Sequence, residues 1–158
     1  MNRRHWGLAT LALCAAAPMA LAQQQGGSPD NIQIARERAR KDKKAFVAEQ
    51  LKLTDSQAKN FWPVYERYQK ELGAIQQRQN MAAIDYVNAS DKLTDMNAAR
   101  ILGLLAGADV DRAKLDQIYL KRFLKVIPGK QVARYYQIEN KLRVAEEYDT
   151  ARTYPLVN

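Results

Sequence analysis

From residue 58 onward the chain sets Ala58, Phe61, Tyr65, Tyr68, Leu72 and Ile75 at alternating spacings of three and four, and the series continues through Gln79, Ala82, Tyr86 and Ala89. Only an α-helix brings such positions onto one stripe, and a stripe this narrow and this long is the seam of a helical hairpin or coiled coil. The spacing predicts one helix from Asp55 to about Asn88, long enough to be an arm. Its start is written in Leu53-Thr54-Asp55-Ser56-Gln57: the Thr54 hydroxyl accepts from the backbone N–H of Gln57, and the Gln57 side chain accepts from the N–H of Thr54. Pro63 removes one intrahelical hydrogen bond, so a kink is expected near it.

A second helix start follows at Ile127-Pro128-Gly129-Lys130-Gln131. An offset of 74 pairs Gln57 with Gln131, Ala58 with Val132, Phe61 with Tyr135, Trp62 with Tyr136 and Val64 with Ile138. Pro128 is expected in the first helical turn, where its missing N–H costs nothing. The helix it opens should run to about Thr153, with Val132, Tyr135, Ile138, Leu142 and Ala145 inward and Pro155 ending it. Ser28, Pro29 and Asp30 start a first helix that reaches about Leu51. Thr94 starts the third, with Ala98, Ile101, Leu102, Leu105 and Ala108 inward, a polar run at 109–112, and packing resumed at Leu115, Tyr119, Phe123 and Val126. Gly103 and Gly107, one turn apart, are read as a point of close helix approach. No strand pattern is present. The fold class is therefore all-α: four helices in a long, bent helical-hairpin arrangement whose incompletely covered seams call for an antiparallel, cradle-like homodimer.

The beginning of the chain has the layout of a secretory signal: Arg3 and Arg4, an apolar stretch from Gly7 to Ala17, and Ala20-Leu21-Ala22 as the cleavage site. Residues 1–22 are read as a signal peptide, 23–28 as a disordered leader, and 29–154 as a single helical domain in the periplasm. No later run approaches the ~18 to 20 apolar residues of a membrane-spanning helix. Cleavage after Ala22 would remove His5 and Cys14, the chain's only histidine and cysteine. Disulfides, imidazole or thiolate metal sites and histidine-activated nucleophiles are then excluded, and no cofactor is expected.

The whole chain carries a formal net charge of +8; without Arg3 and Arg4 it keeps 23 basic against 17 acidic residues. Such an excess favours acidic partners, and export makes nucleic acid the least favoured of them. Residues 36–44 hold six basic and two acidic side chains, readable as a solvated face or a recognition stripe. An enzyme would have to use carboxylates, and the candidates are Asp109 with Asp111, and Glu146, Glu147 and Asp149; neighbours one or two residues apart on a helix do not converge on a common point in a catalytic cleft. Aromatic and basic residues are interleaved, and Trp62 and Tyr136 fall just off the seams, where exposure is expected. Rings beside flexible cations suit loose binding of many sequences. The candidate partner-binding residues are Arg36, Arg38, Arg40, Lys41, Trp62, Arg67, Arg134 and Tyr136.

With these residues in view, the chain resembles the Spy/CpxP superfamily of periplasmic stress proteins, whose signature is a repeated Leu-Thr-x-x-Gln. Leu53, Thr54 and Gln57 match in full; the second copy keeps Gln131 and an aliphatic Ile127, with Pro128 in place of threonine. The likeness extends loosely over residues 30–154. It implies a thin, cradle-shaped dimer that holds unfolded or misfolded periplasmic proteins without ATP. CpxP-like members of the family bind the periplasmic domain of a sensor kinase instead, and a related branch binds zinc through His and Cys ligands without counterparts here. The expected function is a non-enzymatic holding chaperone. The alternatives are a regulatory accessory of an envelope-stress kinase and a peripheral envelope protein that sets residues 36–44 against anionic lipid.

Overall fold

The computed structural model describes residues 29–153, so the signal peptide, the leader and Pro155 lie outside the described residues. Five α-helices occupy them: α1 (Pro29–Lys41), α2 (Lys43–Leu51), α3 (Asp55–Ala89), α4 (Asp95–Phe123) and α5 (Gly129–Thr153), with a 3₁₀ turn at Ser90–Lys92. No strand occurs among the described residues. The single first helix expected up to Leu51 is in fact two. Asp42 adopts an extended conformation and its carboxylate accepts from the backbone N–H of Ala45 at 2.9 Å, so it caps α2 and interrupts the run. A short acidic side chain that bonds its own backbone competes with helix at that position.

The capping box at Thr54 forms as the sequence predicts. The Gln57 N–H donates to the Thr54 hydroxyl at 3.3 Å, and the Thr54 N–H donates to the Gln57 side chain at 3.0 Å. α3 runs unbroken through Pro63. Thr94 caps α4 through the N–H of Asn97. At the second motif Pro128 sits one position outside the helix, and its carbonyl accepts from Gln131 and Val132 at 2.9 and 3.0 Å. It serves as the cap, not as a residue of the first turn.

α3 and α4 form the long antiparallel hairpin, tied along its length by Tyr119 to Glu71, Arg78 to Asp111 and Arg100 to Asp85. α5 returns beside α3 in the same direction, and the two motif glutamines meet, with Gln131 Nε2 donating to Gln57 Oε1 at 3.3 Å. α2 lies antiparallel to α5, held by Lys43 to Glu139 and by Arg134 to the Gln50 carbonyl. The core gathers where all these helices overlap. Phe61, Tyr65, Tyr68, Tyr119, Phe123 and Tyr135 are buried, with ring centroids of Phe123 and Tyr135 4.8 Å apart and of Phe61 and Phe123 5.4 Å apart. Each such ring contributes about 1.5 to 3 kcal/mol by burial, with about 0.5 to 1.5 kcal/mol more for each well-placed ring pair.

Because α3 has 35 residues and α5 only 25, helices of about 50 and 40 Å start level and end apart. α5 runs out where its Thr150 and Ala151 share a cleft wall with Asn80 and Leu105. Beyond that level α3 and α4 continue as a two-helix arm, sealed by Ala82 and Ile101. Two expectations fail on this arm. Leu102, expected inward, is 65% exposed. A Cβ built on Gly103 or Gly107 meets nothing within 4 Å, so neither glycine serves close approach between helices.

Candidate functional site

The basic run at 36–44 is mostly consumed within the chain. Arg36 is buried and ion-paired with Asp149, which Arg40 also approaches at 3.5 Å. Arg38 bonds Glu49 at 2.6 Å, Lys43 bonds Glu139 at 2.8 Å, and Lys44 bonds Glu66 at 2.5 Å while lying over the Trp62 ring. Lys41 is exposed, and among the described residues no ion pair engages it. The run thus straps α1 and α2 onto α3 and α5 in place of a free recognition stripe.

The other sequence-predicted residues are also spoken for. Arg67 is exposed, with its Nε on the Pro63 carbonyl at 3.1 Å, and Arg134 reaches the Gln50 carbonyl at 2.7 Å. Trp62 and Tyr136, expected to stand clear of the body, are half-buried against it: Trp62 packs edge-on to Phe61 and Tyr65, and Tyr136 donates to the Asp116 carbonyl at 3.0 Å. Leu53, Thr54, Gln57, Ile127, Pro128 and Gln131 come together at one end of the molecule as the paired starts of α3 and α5.

Two inward polar groups escaped the sequence reading. Glu139 is buried and accepts from Lys43 Nζ at 2.8 Å and from Gln69 Nε2 at 3.0 Å; Gln69 also donates to the Tyr135 hydroxyl at 3.1 Å. Arg112 occupies the seam of α4 between Ala108 and Leu115, within 3.5 Å of Asp109 and Glu147. Their signal was positional, since 135, 139 and 142, like 108, 112 and 115, keep the three-and-four rhythm. Burial raises the phenol pKa of Tyr65, Tyr68, Tyr119, Tyr135 and Tyr136, reinforced at Tyr68 and Tyr119 by donation to the carboxylates of Asp116 and Glu71. These hydroxyls are neutral donors, with no role as acids near neutral pH.

A cleft of about 810 Å³ opens between α3, α4 and α5. Its charged lining is Lys43, Arg112 and Arg143 against Asp109, Asp116, Glu139, Glu146 and Glu147, so this hollow of a basic chain is acidic on balance. Four of the five carboxylates weighed for chemistry are engaged, Asp109 by Gln79, Asp111 by Arg78, Glu147 by Arg143 and Asp149 by Arg36, while Glu146 lines the cleft. Among the described residues no group of three or more His, Cys, Asp or Glu side chains is placed to hold a metal ion, and no helix is long and apolar enough to cross a membrane.

No family model, no curated protein and no solved structure matches this chain.

The surface carries a feature of its own. Met81, Ile84 and Val87 on α3, and Met96, Leu102 and Leu104 on α4, are all exposed, Met96 to 80% and Met81 to 60%. All six lie on the arm beyond the reach of α5. On the arm Arg100 pairs with Asp85, and at its base Arg78 pairs with Asp111. The arm thus exposes aliphatic and thioether side chains, while most of the aromatic rings form the core.

Proposed function

We propose that this protein is an exported, non-enzymatic holding protein that captures unfolded or aggregation-prone polypeptides without ATP. The observation that carries the reading is the bare arm, where six large apolar side chains are exposed on two helices with no outer partner among the described residues. Isolated exposed apolar residues are ordinary, but six on one two-helix arm, with Met81, Ile84 and Val87 spaced three apart along α3, offer an interaction surface. Both methionines of the region after the signal segment lie in it, and the flexible, polarisable thioether adapts to clients of different shape. The Leu53, Thr54 and Gln57 motif supports the Spy/CpxP-like reading from the sequence side, with its glutamine meeting Gln131 of the second copy.

Apolar capture on this reading belongs to the arm, and Trp62 and Tyr136 support the body. The test is aggregation of a chemically denatured client, followed by light scattering, with the chain from residue 23 onward, which contains every core residue. Suppression without ATP is expected, and Met81→Asp with Leu102→Asp should abolish it while leaving the helical circular dichroism intact. No suppression at several-fold excess refutes the proposal. Pull-down of a single stoichiometric sensor domain, in place of a mixture of clients, would assign the arm to the regulatory alternative.

A further inference from the structure

Six cations that no carboxylate claims are gathered at the opposite end from the arm. α4 finishes there with Lys121 and Arg122, and Lys125 follows in the turn. Lys130 opens α5, Lys52 closes α2, and Lys59 stands in the first turns of α3. The Gln57 to Gln131 contact and the common core of Leu51, Phe61, Phe123, Ile127 and Val132 hold these four helix ends together. All six cations are exposed, and among the described residues none is in an ion pair. The acidic residue in their midst is Asp55, since Glu49, nearby on α2, is taken by Arg38. The starts of α3 and α5 face the same way and add the partial positive charge of two helix N-termini.

This pole is also apolar. Leu120 and Leu124 are 41% and 51% exposed, one turn apart on α4 and its C-cap, directly beside Lys121 and Lys125. Leucines in register with lysines on the outer side of a helix end match an interface that is anionic at its surface and apolar a few ångströms below it. Lysine stems lie along the apolar layer while their ammonium groups stay at the headgroups. A second copy of this chain does not fit, because it would bring a like-charged pole against this one.

We propose that this basic, leucine-bearing pole docks the protein on an anionic lipid surface, with Leu120 and Leu124 entering the interface and the surrounding lysines on headgroup phosphates. The docking leaves the arm pointing away from the bilayer. The surface is distinct from residues 36–44, whose cations are bound within the fold. It also does not depend on the arm's role.

Co-sedimentation of the chain from residue 23 onward with phosphatidylglycerol-containing vesicles tests it, with pure phosphatidylcholine vesicles as control. Binding is expected to the anionic vesicles alone and to be lost at about 0.5 M salt, where screening reaches only a few ångströms. Lys121→Gln with Lys125→Gln should weaken partitioning about 25-fold, at about five-fold per lysine. Leu120→Ser with Leu124→Ser should weaken it as well, whereas Lys41→Gln and Met81→Asp should leave it unchanged. All four substituted positions at the pole are exposed, and unchanged thermal melting confirms the fold. Absence of binding to anionic vesicles, or binding indifferent to both double variants, overturns the proposal. So does capture of an acidic polypeptide through the same lysines while vesicles are ignored, which would make the partner a protein.

Discussion

Glu139 ties three helices together, and its removal gives the most direct test of how the bundle is held. Its side chain is 10% exposed, that of Lys43 32%, and the two meet at 2.8 Å, with Gln69 bridging both to the Tyr135 hydroxyl. Glu139→Leu keeps the volume but strands an ammonium group two-thirds buried and deprives Gln69 of an acceptor. Breaking a buried pair costs about 3 to 5 kcal/mol; with Lys43 partly hydrated, about 2 to 3 kcal/mol is expected here. For a domain of this size that lowers Tm by about 8 to 10 °C. Lys43→Met combined with Glu139→Leu removes both charges, leaves Gln69 its bond to Tyr135, and should return to within about 1 kcal/mol of the parent. Urea unfolding followed by circular dichroism, and by the fluorescence of Trp62 packed beside Phe61, measures the two single variants, Glu139→Leu and Lys43→Met, and the double. A single Glu139→Leu cost under about 0.5 kcal/mol, or a double variant as unstable as the sum of the singles, would refute the account of a coupled, partly buried pair.

Three further outcomes are expected. Gly103→Ala and Gly107→Ala should each stabilise by about 1 kcal/mol, because both are helical, exposed, and open to a Cβ; a loss of stability in urea unfolding would show that something packs there. Lys52 holds φ 48° and ψ 52° after α2, so Lys52→Gly should raise the urea midpoint by about 0.5 to 1 kcal/mol of stability. The five tyrosines with raised pKa contribute stability that is complete below about pH 10, where the unfolded chain's phenols are still neutral. It is lost as pH rises further, at up to about 1.4 kcal/mol per pH unit for each ring, because unfolding then releases a proton. A pH titration of unfolding free energy alongside tyrosinate absorbance should show instability setting in near pH 10, and a flat profile there would contradict burial of these rings.

Local rules made much of the architecture legible. The box at Thr54 and Gln57, the cap at Thr94 and the seam from Ala58 to Ala89 each depend on residues within four positions of one another, and they stand where the spacing put them. Asp42 was legible in principle, as a short acidic residue able to cap, but six cations around it drew attention to charge instead of capping. Trp62 and Tyr136 were misplaced because a seam drawn for one partner helix ignores a second. α5 packs against α3 and α4 together, which widens the buried face and takes in positions just off the stripe. The same widening hides Glu139.

The sequence by itself determined that this chain is helical, where most helices start and stop, and which stripe of α3 turns inward, because those outcomes follow from hydrogen bonds and periodicity along a few turns. Tertiary structure alone decided the surface. Whether Arg36 is a free cation depends on Asp149 arriving opposite it, and whether Leu102 is covered depends on α5 ending ten residues shorter than α3. Charge cancellation and burial are set by the rotation and offset of helices joined through distant turns, and so a cluster of free cations stands at one end of the molecule and the bare two-helix arm at the other.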